Sequence, residues 1–282
     1  MSIRWLIVIL LTLGSADGAR AQACDEPGAQ GQGADLIAQG GRLYDKWWAV
    51  CGLPEPKDTH PAYPATGKQK GGATWRCKEC HGWDYRGNEG AYGKGSHATG
   101  IGGIRRHAGG DEAAIVAILR NSTHRFDAVL PGASLERIAR FVSRGQVDAG
   151  RRIDAATKKV DARPALGKAL FERRCAVCHG AKGRALNFSG QAGDAEYLGT
   201  IAVDNPWELL HKIRNGQPGA VMDEPRLRAA AADPDGGAGG MMGRGHMRRH
   251  MLEGRAMPSM RERLSLEQQL DLLAYLQTLP VR

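Results

Sequence analysis

One five-residue pattern occurs twice in this chain, as Cys77-Lys78-Glu79-Cys80-His81 and as Cys175-Ala176-Val177-Cys178-His179, each followed by glycine. Nothing else in the sequence restricts its folding so tightly. Two thiols at this spacing can add to the two vinyl groups of one haem, and the adjacent histidine then reaches the iron as proximal ligand. Tetrahedral zinc also takes Cys and His at short spacing, but it needs four ligands gathered from one or both strings. A thioredoxin-type dithiol wants a surrounding βαβ pattern, and none is visible. Each string lies in its own folding-sized segment. The reading is therefore two covalent haems, attached through Cys77, Cys80, Cys175 and Cys178, with His81 and His179 on the irons.

The N-terminus agrees with export. Arg4 gives a positive start, and Trp5 to Leu13 is an apolar stretch too short to span a bilayer. Small residues at Ala19-Arg20-Ala21 and Ala21-Gln22-Ala23 offer cleavage sites, so residues 1–23 read as a signal peptide and the location as the bacterial periplasm. No later stretch reaches the length of a membrane span, which leaves an uncleaved signal or a membrane-bound partner as the expected membrane contacts. Four haem thiols leave Cys24 and Cys51. In an oxidising compartment these most simply form a disulfide. The alternative is Cys51 as a thiolate haem ligand.

The pattern of apolar residues is helical throughout, which makes the fold all-α. Residues 24–71 read as a loop-rich extension, with Gly, Gln and Ala up to residue 40 and proline-punctuated loop from Leu53 to Pro64. The first unit runs over 72–146. Its glycine-rich stretch 87–110 reads as loop around a haem edge, followed by a helix from Asp111 to Arg120 and another with Ser134 as N-cap. Residues 147–163 are polar and basic and read as a linker. The second unit, 164–282, holds a helix leading into Cys175, a helix from Pro206 to Asn215 closed by Gly216, and a last helix from Ser265 that stops before Pro280. With 42% apolar and only 6% aromatic residues in 282, the macrocycles would supply much of the core volume.

In these features the chain resembles class I c-type cytochromes, twice over, and two-domain periplasmic dihaem cytochromes near the thiosulfate dehydrogenase group. The residues that carry the resemblance are Trp75 to Tyr85 in the first unit. In the second they are Asn205 to Glu208, His211 to Arg214, Gly216 to Gly219 and Leu273 to Pro280. The resemblance implies two tandem cytochrome c domains and single-electron transfer; it is specific for haem c and fold, less so for substrate.

The sixth ligands separate the two sites. Apart from Met1, every methionine lies between Met222 and Met260, so the first unit has none of its own to offer. His124 lies where the family carries its distal methionine, with His97 as the alternative; His107 shares the loop of His97, and His60 precedes the haem motif altogether. For the second haem, Met257-Pro258 matches the family's approach to its last helix, with Met222 and then Met260 as alternatives. Methionine raises haem potential relative to histidine, so the second haem is expected to be the higher-potential centre. Between these candidates lies the insertion 236–251, rich in Gly, Met, Arg and His. Its thioethers and imidazoles would suit Cu(I), but its interleaved arginines oppose cation capture.

A net charge of +9, little changed by losing Arg4, Asp17 and Arg20 with the signal, suits acidic docking surfaces on redox partners. Nucleic acid does not belong in this compartment. Three functions stay open: a periplasmic electron carrier, an enzyme oxidising a small sulfur anion such as thiosulfate at the first haem, and a haem-based sensor or complex subunit. The enzyme would need an open or displaceable ligand and a basic pocket, for which Arg105, Arg106 and Arg125 are candidates. The carrier is the more economical reading, with no catalytic residue assigned.

Overall fold

The computed structural model describes Cys24, residues 33–189, 195–219, Arg226 and residues 256–281. Residues 1–23, Met222 and the insertion 236–251 lie outside them, and with them the signal peptide, one methionine candidate and the copper reading. Among the described residues there is no strand, and no helix is long and apolar enough to cross a membrane.

The chain begins with α1 (Gly33–Cys51), in the segment that composition assigns to a loop-rich extension. Its glycines are packing residues. A Cβ on Gly40 would lie 2.0 Å from the Arg137 carbonyl oxygen and 2.7 Å from Phe141 Cβ. Only a bare backbone lets α1 cross α4 (Gly132–Arg144) this closely, so Leu43, Tyr44 and Trp47 are buried beside Leu135, Ile138 and Phe141. Cys24 is joined to Cys51 by a disulfide with Cα atoms 4.8 Å apart. The first unit thus starts well before residue 72. Between α1 and α4 lie α2 (Cys77–His81) and α3 (Glu112–Arg120), the latter capped by the Asp111 carboxylate, which accepts from the Ala113 and Ala114 N–H groups. The α4 helix opens at Gly132 with Pro131 as N-cap, and Ser134 sits inside its first turn.

A second crossing repeats the first. In α5 (Pro164–Arg174), a Cβ on Gly167 would lie 2.0 Å from the Asp271 carbonyl oxygen of the terminal helix and 2.8 Å from Tyr275 Cβ. Phe171 then packs on Tyr275, with ring centroids 5.5 Å apart. Next come α6 (Ala176–His179), α7 (Leu198–Asp204), α8 (Pro206–Asn215) and the terminal α9 (Leu266–Leu276). Asn205 caps α8 through the Glu208 N–H, while Ser265 and Gln268 form a reciprocal capping box on α9.

Residues 147–163 are no free linker. Ala149 and Ile153 are buried in the second half's core, Ile153 pairs with Val160 in an isolated bridge, and the Asp271 carboxylate accepts from both the backbone and the guanidinium of Arg163. The two halves also share that core: Trp83 and Tyr92, from just beyond the first Cys motif, are buried with Trp207, Leu210 and Leu273. His211 of α8 fastens the junction. Its Nε2 donates to the Gly41 carbonyl at 2.8 Å, and its Nδ1 accepts from the Tyr85 hydroxyl at 2.9 Å.

Candidate functional site

The first Cys motif opens onto a cavity of about 420 Å³, within the range of cofactor sites. Cys77, Cys80, His81 and His124 all line it, together with an apolar wall that includes Trp75, Ile104, Leu119, Phe126 and Ile138. Alpha1 holds the entrance to the motif. The Tyr44 hydroxyl donates to the Gly82 carbonyl at 2.7 Å, the Trp47 indole to Trp75 O, and Arg76 to the backbone and carboxylate of Asp45. Burial alone would raise the Asp45 carboxyl, but the charges of Arg76 and Lys212 and the hydrogen bond from Arg76 outweigh it and hold it below its ordinary value.

Two imidazoles face one another across the cavity. The His81 and His124 ring centroids are 6.3 Å apart and their planes are inclined by 25°. Each ring has its Nδ1 occupied: His81 Nδ1 donates to Gly102 O at 2.8 Å, and His124 Nδ1 to the Asn121 side-chain oxygen at 3.2 Å. These partners set the tautomer, leaving both Nε2 atoms as lone-pair donors, as metal-bound histidine requires. Burial pushes His81 down to about 4 and lowers His124 as well, which favours the neutral imidazole that a metal would need. Gly87 and Gly103 let the glycine-rich loop that supplies the Gly102 carbonyl run close beside the motif: a Cβ on Gly103 would lie 2.4 Å from Tyr85 O, and one on Gly87 2.4 Å from Ile101 O.

The cysteines fit thioether formation better than a redox or zinc role. Burial pushes Cys77 and Cys80 up to about 12 and Cys175 to about 11. A reactive dithiol needs the opposite shift. Among the described residues, no group of three or more His, Cys, Asp or Glu side chains is gathered to hold a metal ion. His97 stands apart from the cavity: its Nδ1 bonds to the buried Glu79 carboxylate at 2.8 Å and its ring stacks on Tyr92. Of the basic candidates, Arg106 lines the cavity, Arg105 reaches Asp148, and Arg125 is exposed.

The sequence left one cavity residue without a role. His60, set aside because it precedes the motif, lines the cavity and bonds to the His124 backbone. A lone histidine in proline-punctuated loop gives no local signal of this; the contact spans the chain from residue 60 to 124.

At the second motif, Cys175 and Cys178 are half-buried thiols, and Cys175 and Met257 both pack against the second half's core. His179 is neutral, pushed down to about 4 by burial, and its Nδ1 is buried without a hydrogen-bond partner. The second motif thus differs from the first, where a backbone carbonyl holds the Nδ1 of His81. Met260 is placed differently from Met257: it is buried in the core, and its backbone N–H bonds to Ile213 O.

Residues 164–280 match the family model for cytochrome c. That segment carries a cytochrome c domain. The domain implies covalently bound haem c and supports a haem-binding electron-transfer protein. Beyond it, no curated protein and no solved structure gives a significant match to the chain.

Proposed function

We propose that the chain is a dihaem c-type cytochrome of the bacterial periplasm, built from two tandem cytochrome c units, that passes single electrons between redox partners. The first haem would be held by Cys77, Cys80, His81 and His124, and the second by Cys175, Cys178, His179 and Met257, or Met222 in its place. The observation that carries this reading is the His81–His124 pair, two neutral imidazoles with free Nε2 atoms across an apolar cavity bounded by Cys77 and Cys80. The repeated glycine–carbonyl helix crossing supports a second unit of the same plan.

Haem supplies the one-electron couple. The protein's part is to keep the ligands fixed and neutral and water away, so that little rearranges as charge changes. Here the imidazoles are tied at Nδ1, the walls are apolar, and the shared core of Trp83, Tyr92 and Trp207 holds both motifs in one body. A positive surface favours acidic partners.

Arg106 and His107 at the cavity leave a second reading, oxidation of a small sulfur anion at the first haem after His124 leaves. Low-temperature EPR with near-infrared magnetic circular dichroism on the oxidised protein tests both. One bis-histidine and one histidine–methionine low-spin centre, with no thiosulfate turnover, is the expected result. A high-spin first haem with turnover would replace the carrier by the enzyme, and a haem content of one per chain would remove the dihaem reading.

A further inference from the structure

The segment between α1 and the first Cys motif has no counterpart in the second half, where α5 ends at Arg174 and Cys175 follows at once. It forms a wall of the first cavity through His60, Ala62, Thr74 and Trp75. We propose that His60 is a positioning residue that latches the loop carrying His124 and so keeps the first haem six-coordinate. The inference rests on the bis-histidine reading of that site.

The hydrogen bonds fix the direction of the contact. Ala62 N–H donates to His60 Nδ1 at 3.1 Å, which places the ring proton on Nε2. That Nε2 then donates to the His124 backbone carbonyl at 3.0 Å. His60 is itself anchored: its backbone N–H donates to the Thr74 hydroxyl at 2.8 Å, and that hydroxyl donates to Gly71 O. Its ring lies edge-on to Trp75 at 4.4 Å and beside Phe126 at 5.9 Å.

The loop that His60 grips is otherwise held by bonds within its own few residues: Asn121 N–H to Ile118 O, Arg125 N–H to Asn121 O and Thr123 N–H to the Asn121 side-chain oxygen. Asn121, Ser122, Thr123 and Arg125 are exposed, and Arg125 takes a left-handed φ of 54°. From one side, the Asn121 side chain accepts the His124 N–H and orients its ring. From the other, His60 fixes the carbonyl. With both in place the His124 ring is held towards His81 before any ligand bond forms. Without His60 the loop loses its hydrogen bond to the segment that walls the cavity and keeps the Trp75–Phe126 ring contact at 6.1 Å; the imidazole then leaves more readily, and small ligands gain access in its place.

The test uses the full-length, haem-loaded protein and two readouts: the spin state of the oxidised form by EPR, and the rate of carbon monoxide association with the reduced form. His60→Leu removes the donor and should produce a high-spin fraction and association faster by about five- to tenfold, the worth of one hydrogen bond. His60→Gln keeps a donor of similar reach and should stay near wild type. Thr74→Val loosens the anchor without touching the ring and should shift both readouts the same way by less; it also carries the test if His60→Leu fails to fold. Leu272→Ala, destabilising only the second half's core, should leave the first haem low-spin. The proposal is overturned if His60→Leu and Thr74→Val match wild type, or if Leu and Gln perturb the site equally. A wild-type protein whose first haem is absent or already high-spin would instead overturn the site reading on which the inference stands.

Discussion

The two halves cross their helices in the same way and then reach their Cys motifs by different routes. Gly40 lies against Arg137 O with Tyr44 beside Phe141, and Gly167 lies against Asp271 O with Phe171 beside Tyr275. The crossing itself is thus alike in the two halves. Before its motif the first half interposes residues 52–76, which bring His60 and Trp75 to the cavity, while the second half goes straight from helix to cysteine. A fold can therefore be copied through a few bare-backbone contacts and diverge in chemistry through what is inserted between them. The largest expected effect breaks the shared part. Gly40→Ala and Gly167→Ala each put a Cβ onto a carbonyl oxygen, and each should cost about 3 kcal/mol. That corresponds to a fall in Tm of roughly 6–12 °C. Thermal unfolding followed at the Soret band would check it; a neutral substitution at either glycine would mean the crossings are not equivalent.

A ligand exchange tests the divergent part. His124→Met should raise the potential of the first haem, and Met257→His should lower that of the second, each by on the order of 100 mV within the span of about 0.8 V that axial ligands cover. Spectroelectrochemical titration of wild type should resolve two waves, and either exchange should bring them together. Waves that stay put in the Met257 variant would transfer the ligand role to Met222.

The parts of the molecule readable from sequence are those governed by neighbours in the chain. The α8 helix, with Pro206 at its start and Gly216 (φ 87°) at its end, and α9, with its Ser265–Gln268 box, follow from local capping and spacing. That His124 lines the same cavity as Cys77, Cys80 and His81 accords with its place between two helices in the sequence. By contrast α1 was hidden because its glycines, which mark loop by composition, serve a crossing with a helix almost a hundred residues away. The segment 147–163 looked like a tether because its arginines are conspicuous, whereas Ile153, one apolar residue among them, is what buries it. His60 meets His124 only through tertiary structure, and no periodicity encodes that.

His211 joins the halves, so its removal measures how far they act as one body. His211→Leu would strand the Gly41 carbonyl and the Tyr85 hydroxyl in the interior, costing about 2 kcal/mol. Burial, with Lys212 and Arg261 acting in the same sense and Asp45 against, pushes His211 from 6.5 to about 4. Above pH 6.5 the ring is neutral both folded and unfolded and adds no pH dependence. As pH falls from about 6.5 to about 4 the unfolded chain takes up a proton that the buried ring refuses, so stability is lost across that window. Denaturant midpoints measured through the window should fall in wild type and fall less steeply in His211→Gln. Equal slopes would place the titration elsewhere.

The smallest effect concerns the segment that replaces a linker. Arg152 pairs with Glu267 on α9 at 2.6 Å, but the glutamate is more than half exposed, so water competes for both charges and Arg152→Ala should cost under about 1 kcal/mol. If residues 147–163 were a tether, Ile153→Ala would be as mild. Because Ile153 is buried among second-half core residues, its truncation should cost about 2–4 kcal/mol instead. The ratio of these two losses, read from denaturant unfolding of the pair of variants at equal salt, separates a packed segment from a free one: apolar burial holds it, and the visible ion pair adds little.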